Sequence, residues 1–163
     1  MTGLAAITVR PPWSTAIALG AKLVENRGRE IRYRGPIAIH AGLRWSSAGA
    51  EDPRIRDLFA DRATDLWPAN GVDRIRAHRG GHVVAVAELV DCHESDTRLG
   101  LPTCCQPWGD SWYTSGPAWH LVLADVRCLP SPVRATGALS VPWTLPADVA
   151  DQVAEQLRVA ADA

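Results

Sequence analysis

Apolar and polar positions along this chain alternate in short stretches, and few stretches carry helical spacing. Residues 4–9 are apolar with β-branched members and predict a first strand. Pro12, Trp13 and Ser14 then open a short helix through Ala16, Ile17 and Leu19, which Gly20 is placed to stop. Residues 23–27 predict a strand, 28–34 a polar loop, and 36–41 a third strand that ends at His40. Residues 46–70 are polar and helical in part, with Ile55, Leu58, Phe59 and Leu66 at helical spacing. The longest strand signal is 82–92, with Glu88 in its middle. Residues 91–116 hold turn formers, three cysteines and two tryptophans, a long excursion of the kind that is usually functional or mobile. A strand at 118–129, a further short one at 141–145 and a helix at about 148–161 close the pattern, with Val149, Val153 and Leu157 on one helix face. The sum is an α+β chain, a small, mainly β barrel with helices at its ends.

At 163 residues the chain predicts one domain with a real core, and no internal repeat or linker divides it. No apolar run reaches the ~18 residues of a membrane span, and Pro11, Pro12 and Trp13 spoil a signal-peptide core, so a cytoplasmic setting is expected. Cys92, Cys104, Cys105 and Cys128 fit that setting as free thiols. With His93 they could suggest a metal, but no C-x-x-C or H-x-x-x-H spacing is present; the expectation is buried thiols, no metal and no cofactor.

Charge changes the picture locally. Seventeen positive and eighteen negative residues leave a net −1, so no global field attracts a polyanion. Between Lys22 and Arg44, however, six cations face only Glu25 and Glu30, which puts +4 there and −5 on the rest. Such a patch suits a short anionic ligand better than long duplex tracking; a solvated arginine-rich loop is the plain alternative. Lys22 is the one lysine among seventeen cationic residues, and it stands in Gly20-Ala21-Lys22-Leu23-Val24-Glu25-Asn26-Arg27, which reads G-x-K-x-x-E-x-R. Alternation puts Glu25 and Arg27 on one strand face, with Lys22 at the entrance. Ammonium, carboxylate and guanidinium together can meet a nucleobase edge if they line a cavity, or form a surface ion-pair network if they do not.

These residues carry a resemblance. Ile7-Thr8-Val9-Arg10-Pro11-Pro12-Trp13, then the G-x-K-x-x-E-x-R run, then Tyr33-Arg34-Gly35-Pro36-Ile37-Ala38-Ile39-His40-Ala41 are similar to the ASCH domain. The strand at 83–92, Trp119-His120 and the Pro132…Gly137…Trp143 segment continue the match, so that it covers about 5–145 of a single domain spanning 1–163. The resemblance implies a PUA-like β-barrel with the lysine motif on a cleft floor, and a partner that is RNA, a nucleotide or a modified nucleoside. Similar proteins include amidohydrolases of N4-acetylated cytidine, in which the motif lysine is catalytic, and others linked to cleavage of single-stranded RNA. The amidohydrolase branch has threonine where Glu25 stands. A carboxylate there stabilises the Lys22 ammonium, whereas a nucleophile or base must shed that proton. Binding is therefore the first reading, with hydrolysis by Lys22 and Glu25 as the alternative.

The resulting candidate ligand residues are Arg10, Trp13, Lys22, Glu25, Arg27, Arg34 and His40. Trp13 suits base stacking or core packing, and Arg10 and Arg34 suit phosphate or structural ion pairs. His40 could titrate near neutrality or be a satisfied structural histidine. Glu88 faces either solvent or the cavity. Trp108, Trp112, Tyr113 and Trp119 either stack on a ligand or pack on the barrel, and no motif identifies Glu94 or Asp96 as catalytic.

Overall fold

The structure, a computed structural model, describes residues 3–62, 80–96, 104–114 and 116–161. Its elements run β1 (Ala5–Val9), α1 (Trp13–Ala18), β2 (Val24–Arg27), β3 (Gly35–Ala41), α2 (Ser47–Glu51), α3 (Pro53–Arg62), β4 (His82–Glu94), β5 (Trp112–Tyr113), β6 (Gly116–Pro117), β7 (Trp119–Arg134), β8 (Trp143–Thr144) and α4 (Ala147–Ala161). Leu66, placed by its spacing on a helix, lies outside the described residues, as does 97–103 of the excursion.

Six strands form one sheet in the order β2-β7-β4-β3-β1-β8, and β5 with β6 forms a separate two-stranded ribbon. All sheet pairs are antiparallel except β1 with β3, which run parallel with Ile7 beside Ile39. Three register shifts interrupt the β4–β7 ladder and one more lies in β3–β4, at Ile39/His40. Bulges bend a strand and raise its twist, which curls the two longest strands. The expected α+β architecture is present, with six strands in one large sheet whose end strands β2 and β8 do not pair with each other among the described residues.

Both sheet faces are covered, which is why β1 and β3 read as nearly continuous apolar runs. One face buries Ile7, Val9, Ile37, Ile39, Leu89 and Leu121 with Ile17 and Ala18 of α1. The other buries Ala6, Ala38, Val86 and Leu129 with Val149 and Val153 of α4. Each valine brought fully out of water there contributes about 1.5–3 kcal/mol. The thiols of Cys92 and Cys128 belong to this packing: burial pushes Cys92 up from its ordinary value and Cys128 up to about 11.

The end of α1 sets the site. Gly20 takes a left-handed backbone (φ 71°), the conformation glycine adopts without a Cβ penalty. The amides of Ala21 and Lys22 both return to the Ala16 carbonyl at 3.1 Å, which closes the helix and fixes the backbone of Lys22.

Candidate functional site

An open cleft of about 1020 Å³ lies beside the exit of α1. Its wall includes Lys22, Glu25 and Arg27, so the three motif side chains converge. Lys22 is 3% exposed although it carries a charge. Its Nζ donates to the Val24 carbonyl and to Glu25 Oε2, the latter at 3.0 Å, and lies 5.8 Å from the centre of the Trp13 ring. Two of the three ammonium donors are thus engaged, and the third has no protein partner among the described residues. Glu25 Oε1 meets Arg27 Nη2 at 3.3 Å, and the same Nη2 donates to the Thr8 carbonyl at 2.7 Å. Arg27 Nε is buried with no protein partner. Lys22, Glu25 and Arg27 therefore form a cation–anion–cation row with unspent donors at both ends.

Other chain segments complete the wall. Asn26, on the opposite strand face from Glu25, donates to the Trp108 carbonyl (2.9 Å) and Asp110 Oδ2 (2.8 Å), and its own oxygen accepts from the Asp110 amide at 3.1 Å. Trp108 Nε1 donates to the Ala21 carbonyl at 2.7 Å, and the ring meets Trp13 edge-on at 6.3 Å. Trp13 is itself held by Ser46 Oγ at 3.1 Å. Both indoles are wall residues that also pack on the protein. Desolvation holds the Asp110 carboxyl above the ordinary carboxylate range, against the pull of Lys22, Arg54 and His120.

The cleft is cationic on a chain that is not. Arg10, Lys22, Arg27, Arg44, Arg54 and Arg134 line it against Glu25 and Asp110, six positive side chains to two negative. Only three of the six come from the basic run seen in the sequence. Arg34 does not line the cleft: its Nη1 donates to the Ile31 and Tyr33 carbonyls at 2.7 and 2.8 Å, and its Nη2 to the Cys92 carbonyl at 3.1 Å. It braces the loop ahead of β3. Arg32 points to solvent.

His40 also lines the cleft but is 1% exposed, and both ring nitrogens are occupied, by Ala135 O at 3.1 Å and Thr8 Oγ1 at 3.3 Å. Burial lowers its pKa from the ordinary 6.5, with His82 adding to the shift and the Ala135 carbonyl opposing it. Glu88 is not in the cleft wall; it lies near Tyr33, whose hydroxyl it helps to push up after burial. Tyr113 lines the cleft, Trp112 is exposed and Trp119 packs against the core.

Beyond the cleft, His93, Cys104, Cys105 and His120 gather with their ligand atoms within 4.8 Å of one another. The spacing holds no metal motif, because the four residues come from three separate segments: the β4–β7 pairing sets His93 beside His120, and the loop that carries Cys104 and Cys105 lies outside both strands.

No protein-family model matches the chain, and no curated protein matches it significantly. Among solved structures the chain is similar to ASCH from Zymomonas mobilis, at 17% identity and a TM-score of 0.52, over 95% of this chain and 96% of that one. A tyrosine-to-phenylalanine mutant of the ASCH protein from the same organism gives the same identity and score, over 94% and 97%. At that identity the likeness speaks to the fold. It agrees with the ASCH-type fold expected from the sequence, and no helix among the described residues is long and apolar enough to cross a membrane. The chain has an ASCH-type fold.

Proposed function

We propose that the cleft binds single-stranded RNA or a nucleotide. One observation carries the reading: the sole lysine is buried in the wall of a cleft where cations outnumber carboxylates by six to two. Burying a charge costs free energy unless it is paired, and Lys22 is paired with Glu25 while it still lines the cleft. Glu25 retains acceptor capacity beyond its two ion pairs, since a carboxylate offers about four lone-pair sites. The row thus matches a base edge that presents a carbonyl beside an exocyclic amine. Trp13 and Trp108 supply faces or edges for the ring, and base–aromatic stacking contributes about 1–3 kcal/mol per base. The exposed Arg10, Arg44 and Arg134 suit phosphates on either side.

The arrangement favours binding over lysine-centred hydrolysis. The Glu25 carboxylate 3.0 Å from Nζ attracts a cation at Lys22, whereas an attacking nitrogen has to be uncharged. The test is fluorescence anisotropy with a labelled single-stranded RNA of about eight nucleotides at low salt, repeated with free nucleotides as competitors. Wild type should bind, and Lys22→Ala should weaken binding by about tenfold or more, the equivalent of ~1.4 kcal/mol. Absence of binding by wild type, or equal binding by both proteins, would reject the proposal.

A further inference from the structure

We propose that His93, Cys104, Cys105 and His120 form a tetrahedral zinc site, separate from the cleft. Zinc bonded to thiolate sulfur at about 2.3 Å and to imidazole nitrogen at about 2.0–2.1 Å places neighbouring sulfur and nitrogen atoms about 3.5 Å apart. Here Cys104 Sγ lies 3.3 Å from His93 Nε2 and 3.4 Å from His120 Nδ1, and Cys105 Sγ lies 3.5 Å from His93 Nε2. Three edges of the tetrahedron are already at metal-site length. Small side-chain movements close the remainder, since all four ligand atoms lie within 4.8 Å. The donor set of two soft sulfurs and two imidazoles, with no carboxylate among the four, selects zinc over magnesium or calcium.

The surroundings orient both imidazoles as ligands. His93 and His120 are direct cross-strand partners on β4 and β7, with ring centres 5.4 Å apart. His93 Nδ1 bonds Asp91 Oδ2 at 2.6 Å, which leaves Nε2 to face the thiols. His120 Nε2 bonds the Asp110 carbonyl at 2.8 Å, which leaves Nδ1 to face them. Metal-bound histidines ordinarily donate their second nitrogen in this manner, to a carboxylate or a backbone carbonyl. Adjacent cysteines are an uncommon ligand pair, because successive side chains tend to diverge. Cys105 has a left-handed backbone (φ 68°), which breaks that alternation. Gly109 completes the cradle: a Cβ there would stand 2.4 Å from the Cys104 carbonyl oxygen and 2.9 Å from His120 Cε1.

Four protein ligands leave no open position, so the ion is structural. It would tie residues 104–110 to the β4–β7 ladder. That segment supplies Trp108 and Asp110 to the cleft wall, so the ion holds the wall whether or not the cleft binds RNA.

The test uses the untagged full chain, purified under reducing conditions without chelator. Elemental analysis should find about one zinc per chain. After chelation, cobalt should bind one to one and give thiolate-to-metal charge transfer with the intense visible bands of a tetrahedral site. Cys104→Ser with Cys105→Ser should abolish both, and chelation should lower the melting temperature of wild type. Should the double variant fail to fold, the cobalt spectrum of wild type decides. Zinc below about a tenth of an equivalent with no saturable cobalt uptake would overturn the proposal. So would a weak spectrum without thiolate charge transfer, or unchanged uptake by a folded double variant.

Discussion

Glu25 stands between two cations, and that position makes the Lys22–Glu25–Arg27 row asymmetric under mutation. Its oxygens lie 3.0 Å from Lys22 Nζ and 3.3 Å from Arg27 Nη2, with side-chain exposures of 4% for Lys22, 12% for Glu25 and 18% for Arg27. At an effective dielectric near 20, charges about 3 Å apart attract by about 5 kcal/mol before desolvation is counted. Desolvation offsets most of that, so the net value of the pair is small, yet removal of one partner strands the other at a cost of about 3–5 kcal/mol when fully buried. Glu25→Gln strands both cations beside each other, and with water in the cleft the expected loss is about 2–4 kcal/mol. Lys22→Met leaves Glu25 still paired with Arg27 and should cost about 1 kcal/mol. In the double variant the new side-chain amide no longer faces a buried ammonium, so the two changes together should be milder than their sum by about 1–2 kcal/mol. Urea unfolding at fixed pH and salt, read as a double-mutant cycle, measures all three. Lys22→Met at least as costly as Glu25→Gln, or a coupling within about 0.5 kcal/mol of zero, would refute the reasoning.

Other outcomes follow from the same geometry. The lowered pKa of His40 means that the unfolded chain binds a proton there before the folded one does, so this contribution to stability is present above pH 6.5 and lost as pH falls through the lowered folded value. The urea midpoint should therefore drop with acidification less steeply in His40→Gln than in wild type; parallel profiles would show that His40 is not the group responsible. Gly137→Ala places a Cβ 2.5 Å from His40 Cε1 and should cost about 1–3 kcal/mol, read as a lower melting temperature. If the exposed arginines meet phosphates, Arg10→Ala and Arg134→Ala should each flatten the salt dependence of RNA binding by about 0.7 in log–log slope, with an unchanged slope arguing against contact. Incubation with N4-acetylcytidine should release no more acetate with wild type than with Lys22→Ala; lysine-dependent release would favour the hydrolase instead.

What the sequence revealed depended on how local the determinant was. The motif cluster was readable because Lys22, Glu25 and Arg27 lie within six residues, and strand alternation alone puts two of them on one face. The helix stop at Gly20 was readable for the same reason. Arg54, Trp108, Asp110 and Arg134 reach the cleft from remote segments, and no periodicity in the chain marks that meeting. The basic run misled at Arg34, because charge counts do not show that nearby backbone carbonyls capture a guanidinium. Strand β7 extends to Arg134, five residues past the expected 129, since bulges let it bend and keep pairing where a straight strand would stop. The short ribbon of β5 and β6 was hidden, as two-residue strands carry too few positions to show alternation.

The parallel pairing of β1 with β3 has a consequence for chain connectivity. Parallel neighbours cannot be joined by a hairpin, so the intervening chain must cross over a sheet face to return. In this molecule that crossover is α1, the Gly20–Lys22 turn and β2, which means the cleft's charged row is carried by an obligatory return path and not by a dispensable loop. New termini introduced between residues 19 and 24 would therefore sever the crossover and release Lys22 together with the β1–β3 register. Termini placed at the turn between α2 and α3, around Asp52, leave both intact. A chain opened near Asp52 should therefore keep the β1–β3 register, whereas one opened at the segment that holds its one lysine should lose it.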